Sequence, residues 1–493
     1  SLTLLLFLGT VASCNDSFLD QTQTSDLNRE TVFADSTYTA NFLTGIYTDI
    51  GFDINYNRWT YLLANGGGLQ SACDEAEFYP SSTIWTNMMF ATGTVNPVTV
   101  SDDAWSKCYT NIRRCNVFLA NIDRSPMVQS RKAQYISEAL FLRAWYYFIL
   151  MKHYGGVPII GNNVYDATST MKTSRNTWAE CVEYVSHQCD SIVQLNVLPV
   201  RRTGQENGRA SSAAALGLKA RVCLYAASPL FNGKAPEVVS SALVNKDGKR
   251  LLPETYDESK WAKAAAAAKD VMDLNQYFLF PDYQGLFLEV NERAAGCEIM
   301  MRRCYTPKID PSYLYYPLGE WPAFAPTKQL ADSYYMNDGL PISKSPKYDA
   351  QNPHMNRDPR FAASLFYPGC QYLNFMIKAP DPEVSKDSIQ IPSWLLNSTG
   401  YRSKKHFDGT LTNAEDEGRD TYFMRYAEIL LNYAEALNES EGPVKAVYDA
   451  IDALRDRAHT TRLSTAMPNL SKDAMRIEIR NERRVELAFE GLR

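Results

Sequence analysis

The 493-residue sequence lacks every common catalytic signature. It contains no G-x-S-x-G elbow, no H-E-x-x-H helix, no G-x-x-x-x-G-K-[ST] phosphate loop and no G-x-G-x-x-G turn. Gly66-Gly67-Gly68 is a flexible turn without the lysine a phosphate loop requires. Histidine is scarce: the five, at 153, 187, 354, 406 and 459, include no pair with the helix-face spacing of metal ligands. His187 and Cys189 could share a strand face, but they fall in a predicted helix. None of the ten cysteines forms a C-x-x-C pair, which removes zinc ribbons and thioredoxin-like redox motifs. Cys108 and Cys115 are read as small hydrophobes on one buried helix face. Positive charge is also in deficit, with 50 Lys and Arg against 56 Asp and Glu. The densest basic cluster, Arg480 to Arg484, is interrupted by Glu482. A nucleic-acid partner needs a basic face, so none is expected.

Carboxylates are plentiful, as in Asp74-Glu75, Asp102-Asp103 and Glu415-Asp416-Glu417. A surface glycosidase would need two of them across a cleft, one with a raised pKa. Adjacent acids more often mark a solvated face or a helix start, and Asp102-Asp103 directly precede a predicted helix at Trp105. The loop carboxylates leave room for a structural calcium ion; no other cofactor is implied.

SLTLLLFLGTVASC, residues 1–14, is too short to span a bilayer and has the character of a secretory signal. Val11-Ala12-Ser13-Cys14 resembles a bacterial lipobox, so 1–13 is expected to be a signal peptide, Cys14 the lipidated residue and 14–30 a polar tether. Several acyl chains on one cysteine hold a protein firmly to a membrane. Asp16 and Asp20 resemble the surface-export signal of Bacteroidetes lipoproteins, which implies a cell-surface location. The sequence opens on Ser1 without an initiator methionine or basic residues, so the precursor is expected to begin upstream.

Residues 31–493 read as a single mainly α domain. Apolar periodicity predicts helices over 130–154, 210–227, 260–274, 422–439, 444–459 and 472–493. Gly155-Gly156 and Pro158 stop the first. The last is still helical at Arg493, which implies further sequence beyond it. Small residues recur at Ala213, Ala214, Gly217 and Ala220, and a matching stripe runs through Ala427, Leu430, Leu431, Ala434 and Leu437. Such stripes let helices approach closely and suit tetratricopeptide-like pairs.

Two regions, 51–104 and 281–420, break this pattern. They are rich in Gly, Pro, Asn, Asp and aromatics, and loops this long are usually functional. The stretch SYLYYPLGEWPAF, 312–324, holds Tyr313, Tyr315, Tyr316, Trp321 and Phe324. A sugar offers an apolar C–H face to such rings and a hydroxyl rim to Asp, Asn or Arg. Each aromatic contact contributes about 0.5–1.5 kcal/mol beyond burial, so several must act together to reach micromolar affinity, about −8 kcal/mol. Most of the rings are expected to brace the loops, and a minority to form the platform.

Motifs distributed along the whole chain resemble the SusD/RagB family of Bacteroidetes nutrient-binding lipoproteins. Ala72-Cys73-Asp74-Glu75-Ala76 is similar to its S-D-E-A segment, with Cys73 at the usual Ser. Trp105 to Tyr109, Ile112-Arg113 and Asn116 to Asp123 resemble its W-x-x-x-Y helix. Leu142-Arg143-Ala144 through Pro158, Pro326-Thr327 through Gly339, Asn356 to Phe361, Arg425 to Ala436 and Ile479 to Gly491 extend the likeness. The resemblance implies tetratricopeptide-like helix pairs, irregular loops that carry the ligand, and no catalysis. It implies a lid on a SusC-like TonB-dependent transporter that loads a glycan, or in some members a peptide, at the outer-membrane surface. The arginines and carboxylates of Asn356 to Phe361 and of the last helix carry over as scaffold. By region rather than by motif, the ligand residues fall on Tyr79, Trp85 and Asn87 with Asp74, and on Tyr305, Tyr313, Tyr315, Tyr316 and Trp321.

Overall fold

The computed structural model describes residues 28–54, 72–78, 89–90, 92–96, 104–165, 168–170, 173–288, 297–304, 324–372, 375–376, 399–406 and 420–493. These residues are mainly helical, with short strands between the helices. Local chemistry sets several helix ends. Thr177 opens Trp178–Leu195 with a capping box: its Oγ1 accepts from the Glu180 N–H at 3.2 Å, and the Glu180 carboxylate accepts from the Thr177 N–H at 2.8 Å. Ser211 and Ser471 cap Ser212–Ala227 and Lys472–Glu486 by accepting from the third N–H onward. Gln129–Tyr154 stops at Gly155, whose φ of 73° suits a residue without a Cβ.

The long helices stack in chain order. Ala104–Asn121 packs on Gln129–Tyr154, which packs on Trp178–Leu195; Ser212–Ala227 and Ser259–Met272 follow. The chain leaves this row after Met272 and re-enters with Tyr426–Glu441, which packs on Ser259–Met272. Lys445–Arg457 and Lys472–Glu486 then pack on Tyr426–Glu441. Neighbour-on-neighbour contact of this kind is tetratricopeptide-like stacking. Small residues permit it: Ala213, Ala214, Ala220, Ala264, Ala268, Ala427 and Ala434 are all buried. A Cβ on Gly217 would lie 2.2 Å from Met424 Sδ, so its absence lets a two-stranded ribbon approach the row. Cys108 and Cys115 are fully buried in the core around the first helices. Among the described residues, no helix is long and apolar enough to cross a membrane.

Several boundaries differ from the sequence expectation. The helix predicted over 422–439 begins only at Tyr426, because Thr421–Arg425 is a strand paired antiparallel with Ile299–Arg303. Tyr, Phe and Thr suit that ladder, which also satisfies backbone groups in a strand whose five residues are all buried. The helix predicted to run through 493 ends at Glu486. Phe489 and Gly491 take positive φ values of 63° and 70°, and this turn carries Glu490 inward. The region 281–420, read as loop, contains the helices Lys328–Ser333 and Pro359–Ser364 and, among the described residues, two two-stranded ladders, Leu365–Phe366 with Arg402–Ser403 and Gln371–Tyr372 with Phe375–Met376.

The inward turn of Glu490 completes a buried ionic network. Arg425 is 1% exposed and uses all five of its N–H donors. Nε and Nη2 each donate to the Glu490 carboxylate at 2.7 Å. Nη1 donates to Glu298 at 2.8 Å and Glu486 at 2.7 Å, and Nη2 also reaches the Glu486 carbonyl at 2.8 Å. Arg360 bridges Asp358, Glu482 and Glu486, Arg455 pairs with Glu482, and Arg457 pairs with Glu298 and Glu486. Lys405 Nζ donates to Glu490 at 2.7 Å and to two backbone carbonyls. Each cation thus faces at least one carboxylate. Arg425→Met would leave Glu298, Glu486 and Glu490 each one buried cation short, at an expected cost of about 3–5 kcal/mol. Urea unfolding would show it as a lowered midpoint with unchanged slope; a cost below about 1 kcal/mol would reduce the network to the worth of surface pairs. Burial would raise the Glu490 carboxyl, but Arg425 and Lys405 outweigh it and hold it down to about 2. Its stabilising contribution is full above the ordinary carboxyl value of 4.5 and is lost as pH falls toward about 2, so acid unfolding should steepen across that window.

Candidate ligand-binding site

The two aromatic-rich regions share a root. Strand Ala76–Phe78 pairs antiparallel with Phe324–Pro326, with Ala76 opposite Pro326 and Phe78 opposite Phe324. Phe78 directly precedes residues 79–88 of the first region in sequence, and Phe324 directly follows residues 305–323 of the second. Cross-strand partners stand roughly 4.5–5.5 Å apart, so this ladder joins the stems of two regions far apart in sequence. Neither three-residue strand has enough length to announce itself by alternation.

The ladder is fastened from one side by Thr327 and from the other by the C-terminal turn. The Thr327 N–H donates to the Glu75 carbonyl at 3.0 Å, and its Oγ1 donates to the Asp74 carbonyl at 2.8 Å. The same oxygen accepts from the Leu330 N–H at 3.1 Å and so caps Lys328–Ser333. Arg493 grips both Asp74 carboxylate oxygens at 2.8 Å, and Arg484 adds a contact at 3.3 Å. Hydrogen bonding from Arg493, opposed by partial burial, holds the Asp74 carboxyl below its ordinary value. Beneath the strands, Ala76, Leu330, Tyr334, Phe361, Val485 and Phe489 belong to one small core.

Of the predicted ligand residues, only Asp74 lies among the described ones, where its carboxylate is engaged by arginines. Tyr79, Trp85, Asn87, Tyr305, Tyr313, Tyr315, Tyr316 and Trp321 lie outside them, as does Cys14. Other rings of the two regions brace the scaffold. Tyr334 is fully buried and meets Phe361 edge-on at 5.8 Å, while the Tyr335 hydroxyl donates to Glu478 at 3.4 Å. Among the described residues, no cluster of three or more His, Cys, Asp or Glu is placed to hold a metal ion.

A second aromatic group, Trp105, Tyr109 and Tyr154, enters the sequence reading only through family motifs and not as a ligand candidate. The Trp105 ring centroid lies 4.9 Å from that of Tyr109 and 5.3 Å from that of Tyr154. The spacing of four between Trp105 and Tyr109, repeated at Arg113, was the available signal: it puts all three on one helix face.

Glu75, behind the ladder, is 2% exposed and accepts from the Phe489 N–H at 3.3 Å. Burial pushes its carboxyl up to about 7, against the opposing pull of that N–H, Lys405, Arg484 and Arg493. Because the folded value exceeds the ordinary one of 4.5, Glu75 favours the fold fully below 4.5, and that contribution is lost as pH rises through about 7. Glu75→Gln should therefore raise the melting midpoint relative to the parent more at pH 8 than at pH 5. Equal differences at both pH values would refute the buried-charge account.

Residues 289–493 match the model of the SusD family, and residues 17–224 match a family model described as starch-binding and associating with the outer membrane. A SusD-like protein from Formosa agariphila is 25% identical over 422 residues, 80% of this chain and 72% of that protein. One from Bacteroides ovatus is 23% identical over 510 residues, 99% of this chain and 79% of that protein. The crystal structure of a SusD-like carbohydrate-binding protein from Bacteroides fragilis is similar with a TM-score of 0.74 at 24% identity, over 94% of this chain and 86% of that one. Surface glycan-binding protein A from Bacteroides uniformis gives a TM-score of 0.64 at 17% identity, over 93% and 86%. These structures share the helical row, and the two family models between them take in both the early helices and the C-terminal network: the chain belongs to the SusD family.

Proposed function

We propose that this chain is a cell-surface lipoprotein that captures an oligosaccharide or polysaccharide and passes it to a SusC-like TonB-dependent transporter of the outer membrane. The ladder between Ala76–Phe78 and Phe324–Pro326 carries the proposal, because it roots both aromatic-rich regions side by side on a rigid scaffold. A site built on braced elements holds its geometry better than one on free loops. The description of the matched family as starch-binding and outer-membrane-associating supports a glycan ligand and an outer-membrane location. Trp321 with Tyr315 or Tyr316 would stack on the C–H face of the sugar, and Tyr79, Trp85, Asn87, Tyr305 and Tyr313 would complete the site. Asp74, held in the Arg493 fork, would act mainly by keeping the ladder in place. Lipid on Cys14 would anchor the chain. The proposed role is binding and release, with no bond made or broken in the ligand.

Calorimetry of the purified protein against a polysaccharide panel tests this. One glycan class should bind, and Trp321→Ala should weaken it about 30-fold, the scale of an anchor residue worth about 2 kcal/mol, at an unchanged melting midpoint. Failure to bind any glycan, together with retention of peptides, would replace the sugar by a peptide as the cargo. In cells, Cys14→Ala should abolish incorporation of labelled fatty acid.

A further inference from the structure

A cavity of ≈ 380 Å³ opens beside the first turns of Ala104–Asn121. Its size falls in the range of small-ligand pockets, roughly 300–1,000 Å³. Buried Ile112 and Ile160 and half-buried Pro158 contribute apolar wall. Trp105, 41% exposed, stands at the open side with Arg113. Ser106, Thr110, Asn163 and Thr173 add polar atoms.

The aromatic side is pre-formed. The Tyr109 hydroxyl is committed to the Pro158 carbonyl at 2.8 Å, and the Tyr154 hydroxyl accepts from the Trp105 backbone N–H at 3.2 Å. The indole is thus wedged between two fixed rings while part of its surface meets solvent. Arg113 is steered by one bond, from Nε to the Tyr165 carbonyl at 3.1 Å. Among the described residues, its Nη groups meet no acceptor and no carboxylate, and no described residue lining the cavity is acidic. Residues 105, 109 and 113 share a helix stripe about 12 Å long, at 1.5 Å per residue.

We infer that this cavity is a second saccharide subsite, separate from the loop platform, and that it takes a sugar bearing a carboxylate or sulfate group. The indole face covers the C–H face of the pyranose, and the Arg113 fork pairs with the anion. A guanidinium is matched in shape to carboxylate and sulfate oxygens. An aromatic wall where Arg113 is, among the described lining residues, the one cation and none is acidic would favour an anionic sugar over its neutral counterpart. The inference rests on the glycan-binding proposal above but assigns different residues.

The test is calorimetry of the purified protein with three probes: a uronic-acid trisaccharide, its carboxyl-reduced neutral counterpart and a sulfated trisaccharide. At least one anionic probe should bind about tenfold more tightly than the neutral one, and the two anionic arms tell carboxylate from sulfate. Arg113→Gln should remove that preference and leave neutral binding unchanged. Trp105→Ala should weaken every probe about tenfold, with an unchanged melting midpoint in both variants. Glycan binding that neither substitution alters would overturn the subsite and leave the loop platform standing. A protein that binds no glycan at all would overturn both.

Discussion

The Arg425 guanidinium is the point to which the C-terminal half of the fold is tied. It meets Glu298, which directly precedes one strand, and Glu486 and Glu490 from the C-terminal segment, and it is itself the last residue of the partner strand. The environment is nearly dry, so each charge is tolerable only while its partners are in place. Buried ion pairs of this kind contribute little net stability over a well-packed apolar core, but they allow few alternative arrangements. Between Met272 and Tyr426 the described strands form ladders that are individually too short to stand alone. Strict pairing at its end returns it to one place on the helical row.

That placement reaches the strand ladder at Ala76–Phe78 and Phe324–Pro326 through few steps. The turn that delivers Glu490 to Arg425 also presents the Phe489 N–H to Glu75 and brings Arg493 onto Asp74. Asp74 and Glu75 in turn hold Thr327 through their backbone carbonyls. The ladder at the root of both aromatic regions is therefore held by the same C-terminal turn that closes the ionic network.

Much of the helical row could be read directly. Small residues at Ala213, Ala214, Gly217 and Ala220 announced close helix contact, and Gly155 marked the end of its helix. Two errors share one cause. Residues 422–425 fall in the predicted helix because apolar periodicity continues across Tyr426, and 487–493 fall in the last one because nothing in their spacing opposes that. In both places long-range partners overrode local pattern: Ile299–Arg303 for the strand, Arg425 and Lys405 for Glu490. Of the candidate ligand residues, Asp74 could be read as part of a motif, but its engagement by Arg493 depends on residues at the opposite end of the chain.

Helix content, the small-residue stripes, the family motifs and the aromatic wealth of two loop regions are properties of neighbouring residues, and they are visible in the amino-acid order because side-chain periodicity and capping act over a few positions. The pairing of Phe78 with Phe324, the partners of Arg425 and the pocket that joins Trp105 to Tyr165 are not visible there. Each depends on contacts between segments separated by tens to hundreds of residues. Such contacts are selected by burial and charge satisfaction in the folded state, and no local preference encodes them.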